Sequence, residues 1–272
     1  MRVTALITAF NEERFIGNCI ESLAAHGVGV YLIDNGSTDG TVPIAERHLG
    51  RGVVGIESLP RSGAFELRKI LRREEELASS LDSDWFMHVD ADEIRLPPRS
   101  RRTLAEALRA ADADGFDCVN FLEFTFVPTE ESPDHDHPRY LETMRWYYPF
   151  SPFFPHRVNA WKRQPEPVDL VTSGGHHVKF PGQRLSPESF AMKHYLFLSV
   201  PHAIRKYVER RFDEREVREG WHGWRAGLSP EAIKLPSRDT LREYLSDDSL
   251  DPSNPRTDHV LAEFWKAQRA ET

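Results

Sequence analysis

The chain has 272 residues, 39% of them hydrophobic and 29% charged, with a formal net charge of −8. That length can bury one large core, or one domain with an elaborated second half, and the acidic balance argues against a general nucleic-acid binder. No stretch approaches the ~18 consecutive apolar residues of a membrane span.

The run after Arg2 reads as a first buried strand rather than a signal peptide, since no small-residue cleavage site follows it. Cys19 and Cys118 have no CxxC partner, so buried free thiols and a cytoplasmic location are expected. Val3 to Thr8 suits a strand covered on both faces. Phe15, Ile16, Cys19, Ile20, Leu23 and Ala24 then repeat at helical spacing, with Asn11 as an upstream cap and Gly27 as the stop. A second strand, Val28 to Ile33, runs into the turn formers Asp34-Asn35-Gly36-Ser37-Thr38-Asp39-Gly40. A helix over 42–49, a strand over 53–56 and a charged amphipathic helix over 65–81 follow. The fourth strand, Trp85 to Val89, ends in Asp90-Ala91-Asp92-Glu93. A helix over 101–111 leads to an apolar strand over 118–127.

Strands alternating with helices predict an α/β fold with a mostly parallel sheet flanked by helices. Ligands of such sheets bind outside the carboxyl ends of the strands. The polar clusters at Asn11, Asp34 and Asp90 each follow a strand, so they are expected on one edge. After Val127 the texture changes to Pro, His and aromatic residues without a helical period, which suits a loop-rich substrate site. A helix is predicted again over 201–218, and the tail from Gly220 is polar and broken by proline. Three regions result: an α/β half over 1–127, an irregular half over 128–219, and a polar C-terminal extension over 220–272.

Carboxylates two apart at a strand end can share one cation, and Mg²⁺ and Mn²⁺ favour such oxygen ligands together with phosphate. Thr8-Ala9-Phe10-Asn11-Glu12-Glu13, Asp34 to Thr41 and Asp84 to Glu93 together resemble family 2 glycosyltransferases of the GT-A fold. The resemblance implies transfer of a sugar from a nucleoside diphosphate donor, usually with inversion, to a carbohydrate, lipid-linked or small-molecule acceptor. It implies that Thr8, Phe10, Asn11 and Glu12 line the nucleotide pocket and that Asp34 accepts a hydrogen bond from the base. Asp90 would sit near ribose or metal, and Asp92 would be the firmer ligand of Mn²⁺ or Mg²⁺. His194, beside a late apolar run, would complete the metal site. Arg61 and Arg68 could reach the diphosphate, since guanidinium matches phosphate oxygens.

An inverting transfer needs a general base for the acceptor hydroxyl. Asp169, His176, His177 and Glu123 are the candidates, with Asp169 and His177 placed first. Ser173-Gly174-Gly175-His176-His177 resembles a segment preceding the acceptor site in some relatives, but Val178 stands where Glu often follows. Asp134-His135-Asp136-His137 lacks a matching cluster for structural zinc and reads as an acceptor loop. Metal-dependent nucleotidyl transfer is a second reading, weakened because Ala9 to Arg14 is not glycine-rich. A non-catalytic nucleotide-binding protein is a third.

Overall fold

The computed structural model describes residues 1–270. In chain order its elements begin with β1 (Val3–Ala9), α1 (Ile16–Ala25), β2 (Gly29–Asp34), α2 (Thr41–Glu46), β3 (Val53–Ser58) and α3 (Leu67–Ser80). There follow β4 (Trp85–His88), β5 (Glu93–Leu96), α4 (Leu104–Ala113), β6 (Cys118–Phe126), α5 (Tyr140–Thr143), β7 (Trp146–Phe150) and β8 (Val158–Lys162). The last are β9 (Phe190–Tyr195), α6 (Val200–Ala203), α7 (Glu214–Arg218), β10 (Arg242–Glu243) and α8 (Val260–Ala270).

The chain forms two compact units that are not contiguous in sequence. The first holds Met1–Pro60, Leu67–Leu122 and Phe154–Lys193; the second holds Arg61–Glu66, Glu123–Phe153 and His194–Thr272. Residues 271 and 272, the end of the expected C-terminal extension, lie outside the described residues.

In the first unit β1 pairs in parallel with both β2 and β4, and β2 pairs in parallel with β3. These strands are apolar because they are covered on both faces, as in most parallel sheets; Ala5, Leu6, Ile7, Leu32, Ile33, Phe86 and Met87 are fully buried. The expected α/β fold forms, with the sheet parallel across β1 to β4 and antiparallel where β8 and β6 join it. Helix α1 buries Ile16, Cys19, Ile20 and Leu23, one face at helical spacing. It ends at Gly27, whose φ of 73° accommodates a left-handed turn. Gly27 N–H donates to Ala24 O and Val28 N–H to Leu23 O, the paired bonds of a Schellman stop. Both cysteines are buried free thiols.

Part of the irregular region returns to the first sheet. Strand β8 runs antiparallel to β4, with Phe86 opposite Trp161, and also pairs with the start of β6. Residues 154–193 therefore share a unit with the first strands, because β8 supplies the neighbour that β4 needs on its far side.

The second unit has its own core. The end of β6 pairs with β7, and β7 with β10. Val127, Tyr148, Leu196, Phe197 and Tyr207 pack with Leu228, Ile233, Val260 and Leu261. The segment after Gly220 thus packs as part of this core, closed by a helix that its proline-broken sequence did not predict. The helix expected over 201–218 is interrupted: α6 passes into a π-helical turn over Ile204–Val208, and α7 starts afresh at Glu214. Phe65 bridges the break. Its N–H donates to Arg211 O at 2.7 Å and its carbonyl accepts from Asp213 N–H at 3.1 Å, which holds residues 211–213 extended. Asp213 then caps α7 through Arg215 N–H and Glu216 N–H.

Of the aromatic run after Trp146, Tyr147, Tyr148 and Phe150 are core, whereas Phe153 and Phe154 are exposed. No described helix is long and apolar enough to cross a membrane.

Because Leu261 is fully buried in the second core, Leu261→Ala is expected to cost about 2–5 kcal/mol in urea denaturation. A loss under about 1 kcal/mol would mean that α8 is only laid on the surface.

Candidate active site

Parallel register aligns the strand ends of the first unit. Ala9 of β1 lies opposite Asp34 of β2, and Leu6 lies opposite His88 of β4. The loops after these strands carry the expected pocket residues.

Asn11 is not a helix cap. It takes a left-handed φ of 57°, and its carboxamide oxygen accepts from Thr38 N–H at 2.8 Å, while its own N–H donates to Ser37 Oγ at 3.0 Å. Asparagine tolerates that backbone region better than most residues, and here it ties the loop after β1 to the loop after β2. Helix α1 begins after Phe15 with no side-chain cap. Glu12 supports the same tie, its N–H donating to Thr41 Oγ1 at 2.8 Å. Phe10 is half-buried directly after β1.

Asp34 is buried at the end of β2. Its two carboxylate oxygens accept from Ser37 N–H at 3.0 Å and Gly36 N–H at 3.2 Å. The turn-forming role expected of this residue is therefore real. Each carboxylate oxygen can accept a second bond, so a base could still use it.

The metal motif sits on a built loop. Asp90 is exposed, and its carboxylate accepts no hydrogen bond from the described residues. Asp92 is buried. Under them Glu93 Oε2 accepts from Asp90 N–H at 3.0 Å and from Arg95 Nη2 at 2.6 Å, while Arg95 Nη2 also donates to His88 O at 3.1 Å. Arg95 stacks over Phe121 with 4.4 Å to the ring centroid. Burial depresses the Arg95 pKa, and Glu93 opposes that shift. Glu93 is the anchor of the loop. Open carboxylate oxygen at a strand end is the donor chemistry that Mg²⁺ and Mn²⁺ prefer, so these residues fit such an ion. Among the described residues no three His, Cys, Asp or Glu side chains already form a metal-binding group.

Thr8 donates to Glu74 Oε1 at 3.0 Å, and Glu74 Oε2 lies 2.6 Å from His88 Nδ1. Burial opposes charge on His88, but Glu74, with Asp90 and Glu93, raises its pKa to about 9. Sequence reading missed Glu74. The signal was present: it occupies the apolar stripe Ile70, Leu71, Leu77, Ala78 of α3, where an unpaired carboxylate would be costly. Arg68 lies half-buried in the first turn of the same helix.

The candidate bases differ. Both Asp169 oxygens are engaged by Thr172, Oδ1 by its N–H at 2.9 Å and Oδ2 by its hydroxyl at 2.5 Å. His177 is half-buried. Burial, then Lys179, lowers its pKa, against a hydrogen bond with Gln183. His176 stacks on His156 with ring centroids 5.3 Å apart.

The remaining candidates lie in the second unit. His194 is buried with Nδ1 2.7 Å from Glu123 Oε1, so Glu123 is a partner of this imidazole. Arg61 has its pKa lowered by burial and by Arg210. His135 bonds Thr143 at 2.9 Å and Asp136 pairs with Arg205 at 2.7 Å, which makes Asp134 to His137 a pinned loop.

Residues 4–164 match the family described as glycosyl transferase family 2. The lipopolysaccharide core biosynthesis glycosyltransferase LpsC of Rhizobium meliloti (strain 1021) is 32% identical over 111 residues, 40% of this chain and 38% of that protein. The match thus spans about two fifths of the relative's length. Among solved structures, S. aureus TarS 1–349 in complex with UDP-GlcNAc is 13% identical with a TM-score of 0.47, over 99% of this chain and 73% of that one. Glucosyl-3-phosphoglycerate synthase from Mycobacterium tuberculosis, with Mn²⁺, UDP and glucosyl-3-phosphoglycerate, is 21% identical with a TM-score of 0.32, over 45% and 44%. Structural likeness at this level carries no information on the substrate of this chain.

Arg95→Met would strand the buried Glu93 charge. Urea denaturation should show a loss of about 3–5 kcal/mol, most of it recovered when Glu93→Gln is added. Equal losses in the single and double variants would mean that the pair is not what holds the loop.

Proposed function

The chain belongs to glycosyl transferase family 2, and on that premise we propose that it transfers a sugar, with inversion, from a nucleoside diphosphate sugar to an acceptor hydroxyl. One observation carries the reading. In the first unit the parallel strands β1, β2 and β4 run toward one edge, and Asn11, Asp34 and the Asp90 loop stand at or just after their ends.

In this reading Asp34 accepts from the base, while Thr8, Phe10, Asn11 and Glu12 form the wall beside it. Arg68 donates to the diphosphate, a bidentate match for guanidinium. Asp90 and Asp92 hold Mn²⁺ or Mg²⁺, which supplies positive charge for the leaving diphosphate. Within the second unit, Glu123 Oε1 lies 2.7 Å from His194 Nδ1, a carboxylate support that suits an imidazole ligand.

His177 is proposed as the general base. Its lowered pKa keeps the ring neutral at neutral pH, as a base requires. Asp169 holds the turn at Thr172 through both its oxygens and stands second to His177 as the base. The acceptor is a carbohydrate, lipid-linked or small-molecule hydroxyl compound.

Donor hydrolysis with Mn²⁺ or with chelator is the direct test: free sugar and nucleoside diphosphate support transfer chemistry, whereas pyrophosphate release would favour nucleotidyl transfer. Asp92→Ala should lower the metal-dependent rate by ~10²-fold or more while leaving the fold intact. Turnover near wild type in saturating Mn²⁺ would remove Asp92 from the metal site.

His177→Asn is expected to cost ~10²–10⁴-fold in kcat, and Asp169→Asn much less. The acid limb of the wild-type rate should fall below pH ~6.5, because a base must be neutral to act and this pKa is depressed. The reverse ranking of the two variants would hand the base to Asp169.

A further inference from the structure

Helix α3 is charged over most of its surface, yet Glu74 faces inward with no exposed area. Buried ion pairs are weak sources of stability, and apolar replacements of similar volume are often neutral or stabilising. A glutamate amid Ile70, Leu71, Leu77 and Ala78 therefore has to be explained by the geometry it enforces.

Its two oxygens reach two strand ends. Oε1 accepts from Thr8 at the end of β1, and Oε2 accepts from His88 Nδ1 at the end of β4, two residues before Asp90. His88 in turn packs against Gly175, where an added Cβ would stand 2.8 Å from His88 Nε2 and 3.1 Å from Leu71 Cδ2. Gly175 also has a φ of 84°, so glycine is required there twice over. Asn159 Nδ2 donates to Gly175 O at 2.6 Å. One residue along α3, Glu75 Oε1 accepts from Leu170 N–H at 2.7 Å and Val171 N–H at 3.1 Å. One turn of α3 thus grips both donor-side strand ends and the loop bearing Asp169, His176 and His177.

We propose that Glu74 is a positioning residue: its carboxylate fixes the spacing between the nucleotide loop after β1 and the metal loop after β4, and through His88 and Gly175 seats the 170–178 loop against them. This rests on the glycosyltransferase reading. Apolar residues at both 74 and 88 would pack the helix at least as well but would leave the two strand ends unregistered.

The test is calorimetric binding of UDP in the presence of chelator, alongside thermal melting. Glu74→Leu should bind UDP ~10-fold more weakly, the equivalent of one strong hydrogen bond, and should melt below the wild type because it leaves His88 and Thr8 unpaired; adding His88→Leu should recover the melting temperature but not the affinity. Glu74→Gln and His88→Leu guard against a misfolded Glu74→Leu: their effects on Kd should fail to add in the double variant, because both act on one contact. Donor KM should rise more than kcat falls. Wild-type UDP affinity in a folded Glu74→Leu, or additive effects in the cycle, would overturn the positioning role alone. Failure of the wild type to bind UDP or any other nucleoside diphosphate would overturn the transferase reading and this inference with it.

Discussion

Parallel pairing of β1 with β2 on one side and β4 on the other is the constraint from which the candidate donor site follows. Parallel strands end on the same edge, so whatever follows each strand is delivered to one place without further design. The pairing then makes demands of its own. Strand ends leave backbone groups without ladder partners, and side chains of the polar loops answer them: Asp34 takes Gly36 and Ser37 N–H, Asn11 takes Thr38 N–H, and Glu93 takes Asp90 N–H. The residues that read as binding residues are the same ones that make the edge stable. A structural and a functional reading of Asp34 or Asn11 are two uses of one group.

Buried charge recurs in this protein where geometry has to be unique. Glu74 with His88 and Glu93 with Arg95 are closed inside the first unit, each pair bonded to groups on more than one element. The second unit repeats the device. Glu123 accepts from His194 and from Thr125 Oγ1, and His259 stands 4.0 Å from the same carboxylate. Tyr148 bonds His259 at 3.0 Å from behind. A hydrophobic side chain in any of these places could slide among several packings, whereas a carboxylate between two donors accepts one arrangement. Desolvation makes a wrong arrangement costly, which is how a weak net contribution to stability becomes a strong preference for one structure.

The second unit also shows why the irregular half resisted reading. Its core is assembled from pieces far apart in sequence: Val127, Tyr148, Phe197, Ile233 and Leu261. Each piece is too short to show a period, and prolines interrupt them. Periodicity reports local amphipathicity only, and this core has little of it.

What the sequence determined by itself was local and periodic. Apolar runs marked β1, β2 and β4, helical spacing marked α1 and α3, and the three motifs named the family, since strand and helix periods survive in any tertiary setting. It also placed Asp34, Asp90 and Asp92 at or just after strand ends, where the structure has them. Tertiary structure alone decided the rest. Asn11 reads equally well as a cap until Thr38 is seen across from it. A helix over 201–218 is consistent with its own residues until Phe65, more than a hundred residues away, pulls residues 211–213 into an extended bridge. Asp169 reads as an open carboxylate until Thr172 is seen bonding both its oxygens. Glu74 looks like one more charge on a charged helix until Thr8 and His88 meet on its carboxylate. In each case the deciding energy belongs to a hydrogen bond whose partner is set by the fold, and pattern along the chain contains no record of that partner.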